Sequence, residues 1–569
     1  MTRTKASDSG LRWATGFAVM VMMVTSLPYL LGFANEGAGW RFTGFVIGVE
    51  DGNSYIAKML AGTAGDWLFY TPYTAYAQNG AIAFLPYILL GKLASPPGLH
   101  LQLVVLFHLF RFAAGILAIL ATYDFLSLFV QDLKLRRLGL ILGTLGGGLG
   151  WILVLAGKPY WLGSLPLEFY SPESFGFLAL FGLPHLAMAR ALLLWGLASY
   201  LRNAEANQST MGGIRAGILF LLLGFFQPLT VVIAWVVLTA HSGILALQQI
   251  SRERAIRSHS WKSCTLYARR GIASILISSP IVAYTFIKFS SDPFLQNWTA
   301  QNLIISPPPG HYLAAYGLLV PFAMMGAYQL LIQKPFSGWL PVAWVLLIPF
   351  LAYAPYNLQR RLPEGAWVAL VLLTIKGLEV WKPGNYEEGE KGKFAGKIRR
   401  SIGKASGSRK IIGLPLVLAL PSTLILFVGG LQAVKHPGLP IFRPMEEVDA
   451  FQFLANYCED DDIVLASFET GNALPAWTPV RVLIGHGPES IALEELRPQV
   501  KAFFDTSTTE SERSSLLERL NVRFVFWGPN EKALGDWNPA KAGYLEPVYE
   551  QGEYMIFQVA DLTMPFQIY

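Results

Sequence analysis

The sequence predicts a mainly α-helical protein that crosses a membrane many times and ends in a small water-soluble α/β domain. Three observations predict it. Apolar runs long enough to span a bilayer fill most of residues 13–431 of the 569-residue chain. Charged residues make up only 14% of the chain, against about 25% in ordinary soluble domains. Residues 431–569 carry 21 Asp and Glu against 10 Lys and Arg, so this acidic end has a net charge of −11 while the remainder is +17. The two parts divide at about residue 431, giving a membrane body (1–431) and a soluble domain (432–569).

Hydrocarbon offers no hydrogen bonds to a backbone, so each run of about 20 apolar residues is expected to cross as a helix. The first, 13–33, follows Arg3, Lys5 and Arg12. It is long for a signal-peptide core and lacks a small-x-small cleavage site, so it is read as a retained helix. Further spans are expected at 137–157, 176–200, 268–289, 312–333, 339–355, 364–381 and 411–431. The basic stretches Lys134–Arg137, Arg252–Arg270 and 382–410, the last with nine Lys or Arg against three Glu, belong on the cytoplasmic side. To satisfy that parity, residues 81–130 are expected to cross three times. Residues 213–247 are expected to cross twice, with a turn at Gln227-Pro228. The total is about thirteen helices, with the N-terminus inside and the acidic domain outside. Segments 34–80, 158–175, 290–311 and 356–363 then face outward. Cys264 and Cys458 fall on opposite sides, which excludes a disulfide framework between them.

Gly146-Gly147-Gly148-Leu149-Gly150 has neither the preceding strand nor the following Lys-Ser/Thr of a nucleotide loop. With Gly143 it gives two small-xxx-small spacings within one expected helix, suited to close packing. Beyond Pro444 the pattern alternates. A helix is expected over 446–457 and strands over 462–467 and 480–485. Helices follow over 490–504 and 509–520, then a strand over 522–527 and a hairpin over 547–559 turning at Gln551-Gly552. Glu469–Asn472, and likewise His486 and Glu489, follow strands, where α/β sheets place ligands; ordinary turn chemistry is the favoured reading.

The chemistry-bearing residues of the membrane half gather in the expected outer loops. Glu50 and Asp51 precede a short helix expected to begin near Asn53 or Ser54, whose positive end favours an anion. Such a carboxylate can take a proton from a hydroxyl or hold a divalent cation. Lys58 lies seven residues on, along the same helical face as Asp51. Glu168 and Glu173 form a second acidic pair. Arg360 and Arg361 place guanidinium forks, which match phosphate oxygens, on the side where basic residues are scarce; an interfacial anchor pairing with Glu364 is the competing reading. Arg111 and His185 interrupt apolar runs. A charge at mid-bilayer costs about 2.5–3.5 kcal/mol, so Arg111 is expected to face a cavity or end a span.

The run Glu50-Asp51-Gly-Asn-Ser-Tyr-Ile-Ala-Lys58 in the first outer loop, the aromatic stretch Trp67–Tyr73 after it, and the soluble domain behind the last helix resemble the GT-C superfamily of membrane glycosyltransferases. That superfamily includes oligosaccharyltransferases, protein O-mannosyltransferases and aminoarabinose transferases. The resemblance implies a GT-C-like fold and transfer of a sugar from a polyprenyl-phosphate donor to an acceptor hydroxyl or lipid outside the cell membrane. It implies Asp51, with Glu50, as the catalytic acid of the first loop. Lys58, Arg360, Arg361 and Arg111 would serve donor phosphate, and His185 is a further candidate. Asp51, Glu168 and Glu173 would hold a divalent metal such as Mg or Mn. The sequence lacks the Trp-Trp-Asp acceptor motif of oligosaccharyltransferases, which argues against that branch. The partners implied are a lipid-linked donor and membrane lipids, not nucleic acid. A transporter or lipid-handling protein, and a non-catalytic membrane scaffold, are the competing classes.

Overall fold

The computed structural model describes residues 5–204, 209–250, 254–379 and 406–560. Most of the basic stretch 382–410 lies outside the described residues.

Five described helices are long and apolar enough to cross a membrane: Ser9–Ala34, Leu99–Ser127, Pro228–Gln249, Trp261–Ser291 and Gly413–Ala433. A sixth span is available if Pro309–Tyr316 and Val320–Gln333, bent by 70°, count as one. In chain order the first elements are α1 (Lys5–Ala34), β1 (Trp40–Phe42), α2 (Val49–Thr63), α3 (Leu85–Gly91), α4 (Leu99–Ser127), α5 (Leu133–Leu145) and α6 (Gly150–Leu155).

Residues 81–130 do not cross three times. They hold the seven-residue α3 and one continuous 29-residue helix, α4. Arg111 does not interrupt α4, because its guanidinium donates to Thr25 Oγ1 (3.2 Å), Ser26 Oγ (2.7 Å) and the Leu180 carbonyl (3.1 Å). One apolar span, Leu99–Ser127, thus stands where three were expected. Residues 213–247 divide at the expected Gln227-Pro228, into helices Met211–Gly224 and Pro228–Ile250.

The chain forms two compact units. Unit 1 comprises Met1–Ser26, Phe110–Tyr284 and Ile304–Gly429, and unit 2 comprises Leu27–Leu109, Thr285–Leu303 and Gly430–Tyr569. In unit 1 the expected helix 137–157 is broken. α5 stops at Leu145 and α6 begins at Gly150, with Gly147 N–H donating to the Ala419 carbonyl at 2.7 Å and Gly150 N–H to Glu168 Oε1 at 2.7 Å. The glycines let other backbone and a carboxylate reach the freed amides, which is closer packing than a continuous helix permits.

Unit 2 joins the first outer segment to the C-terminal one. β1 pairs antiparallel with β2 (Phe442–Pro444). Five further strands, β3 (Ile463–Leu465), β4 (Arg481–Val482), β5 (Val522–Trp527), β6 (Leu545–Gln551) and β7 (Tyr554–Val559), form a sheet of order β4-β3-β5-β7-β6. The first three are mutually parallel, and β7 and β6 add as an antiparallel hairpin through Gly552 at φ 56°. Alternation along β5 sends Phe524 and Phe526 to one face and Val525 to the other. Phe451 and Leu454 of helix Met445–Tyr457 cover the first face. Leu496, Val500 and Phe503 of Leu493–Phe503, with Leu516 and Leu517 of Glu510–Arg519, cover the second. The α/β domain expected beyond residue 444 is therefore present.

Candidate active site

In unit 2, α2 starts earlier than expected. Gly48 adopts the left-handed conformation (φ 57°) and α2 begins at Val49, so Glu50 and Asp51 lie in the first turn and not ahead of it. A residue with a side chain would be strained at that φ, and glycine is not. At its other end α2 is pressed against α3. A Cβ on Gly62 would lie 2.1 Å from the Ile88 carbonyl oxygen, and one on Gly91 would lie 1.8 Å from that of Met59. The helix carrying the acidic pair is thus held at close backbone contact.

The segments that follow the parallel strands β3 and β4, the first of them the short helix Phe468–Ala473, meet the polar side chains of α2. After β3, Asn472 accepts from Asn53 Nδ2 (2.8 Å) and donates to the Glu50 carbonyl (3.3 Å), while Tyr73 Oη donates to the Asn472 carbonyl (3.1 Å). After β4, Gly487 N–H donates to Glu50 Oε1 (2.8 Å) and His486 Nε2 lies 3.2 Å from Asp51 Oδ1. Glu489 Oε1 receives Lys58 Nζ and the Ser54 hydroxyl, each at 2.7 Å, and Oε2 receives the Thr71 hydroxyl at 2.7 Å. Lys58 also donates to Ser54 Oγ and lies 4.4 Å from the centre of the Phe84 ring. His486 Nδ1 stands 3.7 Å from Glu489 Oε1, and the ring lies against Tyr73 with centroids 5.5 Å apart.

The result is a chain of alternating charge from the interior outward: Lys58, Glu489, His486, Asp51. Side-chain exposure rises from 0% at Lys58 through 3% and 7% to 55% at Asp51. Burial opposes the charge on Glu489, yet Lys58 and His486 hold its carboxyl below the ordinary carboxylate value. Burial likewise opposes an imidazolium at His486, but Glu489 and Asp51 outweigh it and raise the group above 6.5. Burial pulls the Lys58 ammonium below its usual value, against the attraction of Glu489. One Asp51 oxygen faces the His486 imidazole, and the carboxylate remains accessible to a hydroxyl from solvent.

This placement revises three expectations. Lys58, expected to meet donor phosphate, is buried and spends its charge on Glu489. His486 and Glu489, for which turn chemistry was the favoured reading, lie beside Asp51 and Lys58. Their signal in the sequence was an acid and a histidine three residues apart after a strand, which only tertiary contact distinguishes from a turn.

Unit 1 holds the other expected residues. Glu168 is 3% exposed, burial raises its carboxyl, and it accepts from Gly150 N–H and the Ser422 hydroxyl. It caps α6, in whose first turn an anion is favoured. Glu173 Oε1 lies 3.3 Å from Arg361 Nε, and the Arg360 guanidinium lies 4.4 Å from the Tyr170 ring centre. Glu364 pairs with Arg190 at 2.8 Å, not with Arg360 or Arg361. Arg190, a cation inside an apolar run like Arg111, went unremarked in the sequence. Arg111 is 1% exposed and tied to neighbouring helices, so its donors are committed to the fold. His185 is half-buried in the first turn of helix Pro184–Leu201.

These donor sets do not fit a divalent cation. Glu168 is turned inward as a cap, Glu173 faces Arg361 and Asp51 faces His486. No three His, Cys, Asp or Glu side chains gather as a ligand set among the described residues. No step below is routed through a metal.

No family model and no curated protein matches the sequence. Solved structures do match. The archaeal oligosaccharyltransferase AglB from Archaeoglobus fulgidus, in complex with an inhibitory peptide and a dolichol-phosphate, aligns at a TM-score of 0.50 and 13% identity. The alignment covers 98% of this chain and 75% of that one. The chain shares the fold of that enzyme. Two further structures align at TM-scores just under 0.5. The Archaeoglobus fulgidus enzyme in complex with Zn and sulfate does so at 0.48 and 12% identity, covering 97% of this chain and 74% of that one. ArnT from Cupriavidus metallidurans, bound to undecaprenyl phosphate, does so at 0.47 and 12% identity, covering 97% and 99%.

Proposed function

We propose that this protein is an integral membrane glycosyltransferase that moves a sugar from a polyprenyl-phosphate donor to an acceptor hydroxyl on the extracytoplasmic face. The observation that carries the reading is Asp51, an accessible carboxylate in the first turn of a helix, backed by His486 and through it by a buried Glu489–Lys58 pair. Asp51 takes the proton of the acceptor hydroxyl, the freed oxygen attacks the anomeric carbon, and the bond to phosphate breaks with its electrons leaving on polyprenyl phosphate. The fold shared with an oligosaccharyltransferase solved in complex with a dolichol-phosphate supports the donor class.

For unit 1 we propose separately that Arg360 and Arg361 bind the carrier phosphate. A guanidinium stacked on Tyr170 and another beside Glu173 are held in place with donors left for an anion. The positive-inside trend of the basic loops supports a cytoplasmic N-terminus and an acidic domain outside the cell membrane.

Reconstituted protein supplied with polyprenyl-phosphate-linked radiolabelled sugars should form a labelled acceptor product. Asp51→Asn at unchanged expression should lose transfer by about 10²-fold or more. Transfer at the wild-type rate in that variant would refute the base role, and no transfer from any lipid-linked donor would refute the enzyme. The buried Arg190–Glu364 pair favours the competing transporter reading, since transporters pair ionisable groups inside the bundle. Substrate flux into vesicles, lost in Glu364→Gln, is what that reading requires.

A further inference from the structure

The carboxylate of Asp51 is more than half exposed, and an exposed side chain on a helix samples several rotamers. A base must nevertheless present one oxygen to the reacting hydroxyl, and a misplacement of about 1 Å can cost about 10²-fold in rate. We propose that His486 is a positioning residue for Asp51, and that the turn Gly485–Ser490 of the C-terminal domain is the latch that fixes the base. This rests on the base role assigned to Asp51 above.

Hydrogen bonds within the turn hold that arrangement. The Ser490 hydroxyl accepts from the N–H groups of Gly485 (3.0 Å) and His486 (3.1 Å), and Ser490 N–H returns to the His486 carbonyl (2.9 Å). The turn is pressed against the short helix after β3, where a Cβ on Gly485 would lie 2.4 Å from the Gly471 carbonyl carbon. The imidazole side chain it presents is 7% exposed. Tyr73 confines one side of the ring, Glu489 faces Nδ1, and Nε2 is aimed at Asp51 Oδ1. One residue on, Gly487 N–H holds the neighbouring Glu50 carboxylate. Two adjacent carboxylates in the first turn of α2 are thus each fixed by adjacent residues of one turn. Oδ1 of Asp51 is met by Nε2 of His486. The α/β domain is then part of the catalytic apparatus and not an appendage to it.

The test uses full-length protein carrying His486→Ala, His486→Gln, Asp51→Asn or Asp51→Asn with His486→Ala. The side-chain amide of glutamine reaches the position of Nε2, whereas alanine leaves Asp51 Oδ1 without that partner. His486→Ala is expected to lower kcat about 10- to 100-fold with KM changed less than about twofold. His486→Gln should recover most of that loss, and the double variant should fall no lower than Asp51→Asn. Hydrogen exchange gives a readout independent of turnover: residues 49–53 and 485–490 should exchange faster together in His486→Ala and regain protection in His486→Gln. Unchanged kcat in His486→Ala would overturn the proposal, as would a loss that glutamine does not rescue. If wild-type protein transfers no sugar, exchange alone decides the latch. Coupled opening in alanine reversed in glutamine supports the latch while the base reading fails, and unchanged exchange overturns it.

Discussion

Replacing Lys58 with methionine tests the ion pair on which the rest of the site is built. The ammonium is fully buried, 2.7 Å from Glu489 Oε1, and methionine fills nearly the same volume without the charge. Removing one member of a buried pair costs about 3–5 kcal/mol, because the other charge is left uncompensated. Glu489 keeps the Ser54 and Thr71 hydroxyls as donors and His486 Nδ1 at 3.7 Å, which places the cost near the low end, about 3 kcal/mol. For an unfolding unit the size of unit 2, each kcal/mol shifts the midpoint by about 2–4 °C, so the variant should melt about 6–12 °C below wild type in detergent. Adding Glu489→Gln removes the stranded carboxylate, and the double variant should regain a good part of the loss. A midpoint within a degree or so of wild type, or a double variant less stable than Lys58→Met, would refute the reasoning.

Stability should vary with pH on both sides of a window set by the same groups. The His486 imidazolium is held above its ordinary 6.5, so its contribution is complete below pH 6.5 and is lost as pH rises through the raised value. Glu489 is held below its ordinary 4.5, so its contribution is complete above pH 4.5 and is lost as pH falls through the lowered value. The melting midpoint should be highest between those limits, and His486→Asn should abolish the alkaline-side fall while leaving the acid-side one. Glu168 offers a separate check: Glu168→Gln keeps an acceptor for Gly150 N–H and should leave the midpoint within about 1 kcal/mol of wild type, while Glu168→Ala should cost about 1–2 kcal/mol. A loss of Mg- or Mn-dependent transfer of tenfold or more in the glutamine variant, at unchanged stability, would show Glu168 to be a metal ligand after all.

Local patterns carried much of the soluble half. The elements from Met445 to Val559 could be read because strands and helices there are short, amphipathic and punctuated by turns such as Gln551-Gly552. The turn at Gln227-Pro228 was legible for the same reason. Segment 81–130 was not, because an apolar run records how much sequence hydrocarbon tolerates and not where a helix bends. Arg111 looked like an interruption, yet Thr25, Ser26 and the Leu180 carbonyl satisfy it, and α4 continues through it. The glycine cluster signalled close packing, but not that Glu168 would cap a broken helix there.

The sequence by itself determined a many-helix membrane body, an acidic α/β domain and an accessible acidic pair at Glu50 and Asp51, because hydrophobic periodicity and charge distribution are properties of neighbouring residues. Only the tertiary structure decided what backs that pair. His486 stands 435 positions from Asp51 along the chain, and Lys58 and Glu489 neutralise each other across a similar span. No local pattern encodes such pairings; they arise when the segments that follow β3 and β4 meet α2, where a buried charge must find its counter-charge.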